Sequence, residues 1–164
     1  MTSRSAIRAA AGEVARLIDQ FERACAGDAW HGTPVRTMLD DVDAGLASAR
    51  PIAGAHTIWE LLAHITWWLE AATRRLDGEV VEATHDEDWP PSPPPSSAGW
   101  TAARSALEAA HERLIAAVGR LKDEDLERPT PGKDYTKYVL LHGVLQHTLY
   151  HAGQIGLLKR AAGR

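Results

Sequence analysis

The chain has 164 residues, 18 Lys+Arg against 22 Asp+Glu, a formal net charge of −4, eight histidines, six tryptophans and one cysteine. A length of this order suits one domain that buries about 70% of its unfolded surface without an external staple, so residues 1–164 are read as a single unit. One cysteine, Cys25, excludes an internal disulfide and a cysteine-rich zinc module, and it suits a reducing, cytoplasmic setting. Basic residues are scattered, with pairs such as Arg74/Arg75 and Lys159/Arg160 the densest spots, so the stripe that neutralises nucleic-acid phosphates is missing.

The start, "MTSRSAIRAAAGEV", lacks the apolar core of a signal peptide. The most apolar run, "TIWELLAHITWWLEAA", is broken by Glu60, His64 and Glu70, so no membrane span is expected. From the N-terminus, "SAIRAAAGEVARLIDQFERACAG" carries Ile7, Val14, Leu17, Ile18 and Phe21 at helical spacing and reaches Gly27, a C-cap candidate. Thr33 and Pro34 read as the N-cap and first position of a short helix. "ASARPIAGAH" is a connector, with Pro51 and Gly54 as breakers.

A second long helix starts after Thr57, where Thr57 and Glu60 make a T-x-x-E capping box, and stops at Asp77-Gly78. "GEVVEATH" is the stretch least clearly excluded as a strand. "HDEDWPPSPPPSS" is proline-rich and reads as an extended surface crossing. The third long helix begins near Ser97 and places Ala102, Ala106, Leu107, Ala110, Leu114, Ala117 and Val118 on one side. "KDEDLERPTPGKD" is a turn-rich link, and the last helix runs from about Thr136 to Ala162. Four long helices with one proline-rich crossing define an all-α four-helix bundle with short auxiliary helices.

The last helix aligns Leu140, Val144, His147, His151, Ile155 and Leu158 on one face. His147 and His151 stand about 40° apart around the axis, so their rings can converge inside the bundle. Spacing alone leaves a packed core pair and a metal-binding pair both open. The zinc-protease motif has Glu after the first His, whereas Thr148 stands here, so that mechanism is unsupported. His64 shares an apolar face of the second helix with Leu61, Trp67, Trp68 and Ala71 and can supply a third imidazole.

Two histidines from one helix and one from another leave coordination positions for water or substrate. Imidazole-only sites suit Zn²⁺ and Ni²⁺ and also take Fe²⁺. Glu60 can act as an acceptor for His64, but its capping role already explains it. His142 lies roughly 140° from His147 and so faces elsewhere. His56, His85 and His111 read as solvated. Trp30, Trp89 and Trp100 flank loops or helix starts and can line a pocket mouth, with aromatic core packing as the default reading, and the loops around Trp30-His31 and Trp89 read as pocket-shaping. No residue is singled out as catalytic.

The segments "AWHGTPVRTMLDDV…ARPIAGAHTIWELLAHITWW", "DWPP…W" and "YVLLHGVLQHTLYHAGQIGLLKRA" resemble the DinB-like (YfiT-like) superfamily of bacterial four-helix-bundle proteins, over roughly residues 5–162. The most specific pieces are H-x-x-x-H-A-G-Q-I and W-E-L-L-x-H-I. The resemblance implies a divalent metal held by His64, His147 and His151. It also implies a metal-dependent hydrolase, or a transferase using a low-molecular-weight thiol such as bacillithiol or mycothiol on a small-molecule substrate. A homodimer is implied as well. Close helix packing is one reading of Gly153 and a polar contact one reading of Gln154, with no role fixed for either. Three neutral imidazoles leave an ion its full charge, which can acidify a bound water for hydrolysis or a thiol for transfer. The absence of a general base at a fixed spacing favours the thiol route, and a non-catalytic metal-binding or interaction protein is the rival class.

Overall fold

The computed structural model describes residues 12–163. Periodic apolar residues and well-formed caps produce four long helices: α1 (Glu13–Cys25), α4 (Ile58–Leu76), α6 (Ser97–Gly119) and α7 (Lys137–Ala161). Between them lie three short helices, α2 (Val35–Met38), α3 (Ala44–Ser48) and α5 (His85–Asp88), and a 3₁₀ turn over Asp123–Glu127. Both α1 and α4 pack against α6 and α7, so the helices form a square in the order α1, α6, α4, α7. No strand occurs among the described residues, "GEVVEATH" included; a single isolated bridge joins Pro129 and Thr136. The bundle expected from periodicity is therefore present.

One cluster of buried side chains unites the four helices, among them Leu17 and Phe21 of α1, Leu61, Leu62 and Ile65 of α4, Leu114 of α6, and Leu141 and Ile155 of α7. Each such side chain stabilises the fold by about 1.5–3 kcal/mol through apolar burial. The capping box of α4 forms as read: Thr57 Oγ1 accepts from Glu60 N–H at 3.1 Å, and Glu60 Oε2 accepts from Thr57 N–H at 2.8 Å. Gly78, with φ 102°, ends that helix in a conformation closed to most side chains.

Several boundaries differ from the sequence reading. Ile7 lies outside the described residues. Gly27 is not a left-handed cap; the N–H groups of Ala26 and Gly27 both close onto the Glu22 carbonyl. Pro34, not Thr33, is the N-cap of α2. The connector around residues 47–56 begins inside α3, whose N-cap Asp43 accepts from Leu46 N–H. Ala102 and Ala106 are exposed, and the start of α6 is instead fixed by buried Trp100, whose indole N–H donates to the Val42 carbonyl at 2.6 Å. Four or five residues carry too little periodicity to announce a helix, so α3 and α5 lack that signal, and the T-x-x-E capping box of Thr84 and Glu87 is the local mark that α5 does carry.

Candidate metal centre

His64 projects from the second turn of α4, and His147 and His151 from the middle of α7. The capping box sets the start of α4, and the packing of Leu61 and Ile65 beside His64 turns its ring into the bundle. His64 and His151 are buried and His147 is half-buried. His64 Nε2 lies 2.9 Å from His147 Nε2, and His151 Nε2 lies 3.0 Å from the same atom. The ligand atoms of all three fall within 4.8 Å of one another. The residues singled out from the two helix faces thus meet at one point.

The partners of the other nitrogens fix the tautomers. His64 Nδ1–H donates to the Asp88 carbonyl at 2.7 Å and faces Asp88 Oδ1 at 3.0 Å. His151 Nδ1–H donates to Gln154 Oε1 at 2.7 Å. In a neutral imidazole this leaves the Nε2 lone pair of each aimed at His147 Nε2. His147 Nδ1 is buried without a partner. A single N–H on His147 could be shared between two acceptors only by leaving its own Nδ1 lone pair unsatisfied. A cation suits the converging lone pairs where a proton does not, and three neutral nitrogens at this spacing are a donor set for Zn²⁺, Ni²⁺ or Fe²⁺.

Burial keeps the rings neutral. Desolvation lowers the pKa of His64 and outweighs the hydrogen bond and charge of Asp88, which act to raise it. His151 is lowered by burial against the opposing bond to Gln154. His147 falls to about 4, first by burial and then by the neighbouring His151 and His64. All three are therefore in the ligating state at neutral pH.

The α5 segment closes the site. Asp88 Oδ1 also accepts from Trp68 Nε1–H at 2.7 Å, so one carboxylate orients an imidazole and an indole. Trp89 lies flat on His64, with centroids 3.8 Å apart and planes 7° apart, and flat on His56 on its other face at 3.7 Å and 6°. A cavity of about 250 Å³ opens beside His147, lined by Trp68, Arg75, Tyr135, Val139, Leu140, Gly143 and Val144. A second hollow of about 310 Å³ borders His56 and Gln154.

The remaining candidates sort clearly. Glu60 stays with its capping box and Arg50 and does not reach His64. The acceptor role belongs to Asp88, 24 residues away, for which no periodic signal exists. Gln154, given a polar contact by the sequence reading, makes that contact with His151, three residues earlier on the same face. Gly153 is exposed, and a Cβ there would meet nothing within 4 Å, so close helix packing does not explain it. Trp30 is fully exposed beside Gln20, Arg23 and Asp28, and neither it nor exposed His31 lines the cavity.

His142 faces α1, 3.8 Å from Glu13 Oε1. His56 is stacked, and His111 is half-buried with Nε2 3.1 Å from the Phe21 carbonyl, so of the three histidines read as solvated only His85 is exposed without such contacts. No helix among the described residues is long and apolar enough to cross a membrane.

An all-helical bundle with three inward imidazoles from two facing helices belongs to the class of bundle proteins that build sites in their cores. Residues 29–155 match the model of the DinB superfamily, and the chain belongs to that superfamily. Comparisons with curated proteins and with solved structures find no match.

Proposed function

We propose that the protein is a divalent-metal-dependent enzyme in which His64, His147 and His151 hold the ion. We further propose that it transfers a low-molecular-weight thiol to a small electrophilic substrate. The observation that carries the reading is the convergence of three neutral Nε2 atoms on one point beside an apolar cavity, with no fourth His, Cys, Asp or Glu joining the cluster among the described residues. Structural zinc sites are closed by four protein ligands, so a three-ligand set favours catalysis over a purely structural role.

A divalent ion on three neutral imidazoles supplies a strong local positive charge that lowers the pKa of a coordinated thiol or water. His64 and His151 are held in their ligating tautomers by Asp88 and Gln154. Trp89 covers one face of His64 and limits solvent there. The Asp88 carboxylate nearest the site is already engaged by His64 and Trp68, which leaves it poorly placed as a general base. Thiol transfer needs none: a thiol acidified at the site would release its proton to solvent, and its sulfur pair would form the bond to the electrophilic carbon. The bond from that carbon to the leaving group would break with its electron pair leaving on that group, which takes up a proton from solvent. The cavity beside His147 gives a small substrate room at the site. A cytoplasmic homodimer is part of the same proposal; light scattering on the purified chain tests the dimer.

Metal analysis of untagged protein purified under replete conditions should find about one divalent ion per chain, and His64→Ala or His147→Ala should lose it. Absence of ion in the wild type would sink the proposal. Cobalt-loaded protein titrated with mycothiol or bacillithiol should show a thiolate-to-cobalt absorption band. An ion without any thiol effect transfers the assignment to hydrolysis.

A further inference from the structure

The cavity beside His147 has a buried cation in its wall. The sequence pair Arg74/Arg75 divides at the end of α4: Arg74 is exposed and bound to Glu79 at 2.8 Å, whereas Arg75 is only 3% exposed. Arg16, Arg50, Arg104, Arg113 and Arg120 are all more exposed, and each holds a carboxylate. Among the described residues no carboxylate pairs with Arg75. Its NH2 group donates to the Val81 carbonyl at 2.8 Å, its NH1 group reaches Tyr135 Oη at 3.4 Å, and its Nε–H is buried with no partner.

Glu82 feels the charge but is exposed and held by Lys133 at 2.7 Å through both oxygens. The C-terminal dipole of α4 offsets part of the charge, but it is not a counter-ion. A buried guanidinium with unused donors lining a cavity is built to receive an anion, because an unpaired buried charge is strongly disfavoured.

We propose that Arg75 anchors the carboxylate of a small substrate whose apolar body fills the cavity and whose other end lies at His147. The planar fork of the guanidinium matches a carboxylate through two parallel hydrogen bonds. Tyr135 Oη stands beside it as a further polar contact. Trp68, Val139, Leu140 and Val144 form the apolar walls. Trp68 bridges the two ends, its ring 5.5 Å from the guanidinium carbon and 5.6 Å from the ring of His147, a span that one small acid can cover. The reacting end rests on the metal assignment above; the carboxylate anchor does not. The substrate class is thus an apolar-bodied carboxylic acid.

The test uses full-length protein stripped of metal with a chelator, and calorimetric titration with phenylacetate, 4-phenylbutyrate and octanoate, each against its neutral amide. At least one acid should bind tenfold or more tightly than its amide. Arg75→Met should abolish that preference and Arg75→Lys should retain part of it. Gly143→Phe leaves Arg75 intact and fills the cavity from a position where an added Cβ meets nothing within 4 Å, so it should lose both acid and amide binding. This keeps the test valid if Arg75→Met fails to fold. Equal binding of every acid and amide, or no binding of any, overturns the proposal and marks Arg75 as only a tether for Val81. His64→Ala should lose the ion yet keep the acid preference, so failure of the anchor and failure of the metal assignment give different results.

Discussion

His64 and His151 present the same nitrogen to the site because an oxygen holds the opposite nitrogen of each, from Asp88 in one case and Gln154 in the other. Outer partners of this kind typically govern about 10–100-fold in metal affinity. Asp88→Ala should weaken zinc binding toward the lower end of that range, since the Asp88 carbonyl still accepts from His64 Nδ1; competition with a chromogenic chelator measures it, and unchanged affinity would remove Asp88 from the site. How legible these residues are depends on chain distance. His147 and His151 stand out because four residues is one helical turn, and Gln154 could be found the same way from His151. Asp88 and Trp89 reach His64 from the end of α5, across the irregular connection that follows α4, and no periodic pattern reports the path of that connection. Trp30 illustrates the converse: an aromatic next to a histidine looks like a pocket wall but is fully exposed.

At the scale of elements, α7 carries the site with two exposed glycines, Gly143 at the rim of the cavity beside His147 and Gly153 on a face turned away from it. A glycine inside a helix costs roughly 0.5–1 kcal/mol relative to alanine through backbone entropy. Because nothing lies within 4 Å of a Cβ at Gly153, Gly153→Ala should stabilise the monomer by about that amount, read as a higher urea midpoint at unchanged slope. A lower midpoint would show that another chain packs there, which bears directly on the proposed dimer. The long helices are legible because a 3.6-residue period repeats many times across them and the cap of α4 at Thr57 is chemically specific, whereas the caps at Ser96 and Thr136 emerge from the structure. Along α6 the buried face is set by Trp100 docking on Val42, a contact between distant segments, so the alanine pattern alone placed its first turns wrongly.

For the whole molecule, four half-buried or buried histidines share one electrostatic consequence. His64, His111, His147 and His151 all have pKa values lowered, with burial the largest cause in each. A depressed histidine binds fewer protons folded than unfolded, so its contribution is complete above the unfolded value of about 6.5 and is lost as pH falls toward the folded value. For His147 that window extends down to about 4. Metal-free protein should therefore show a lower denaturation midpoint at pH 5 than at pH 7.5. Excess zinc should raise the midpoint at pH 7.5 and do so less at pH 5, since the ligands must be deprotonated to bind. A midpoint that does not fall on acidification would contradict the assigned neutral state of these rings. The match over residues 29–155 and the four-helix square agree on the fold, whereas the identity of what enters the cavity lies in Arg75 and Tyr135, which only the assembled molecule brings beside the site.

The stack of His56, Trp89 and His64 also gives the protein an optical label of its own. An indole lying flat 3.8 Å from a ring proposed to hold an ion is within quenching range of a paramagnetic centre bound there. Cobalt added to the metal-free chain should dim tryptophan emission and level off at one equivalent, and Trp89→Phe should remove a large part of the change. Site occupancy could then be followed in real time without any added dye.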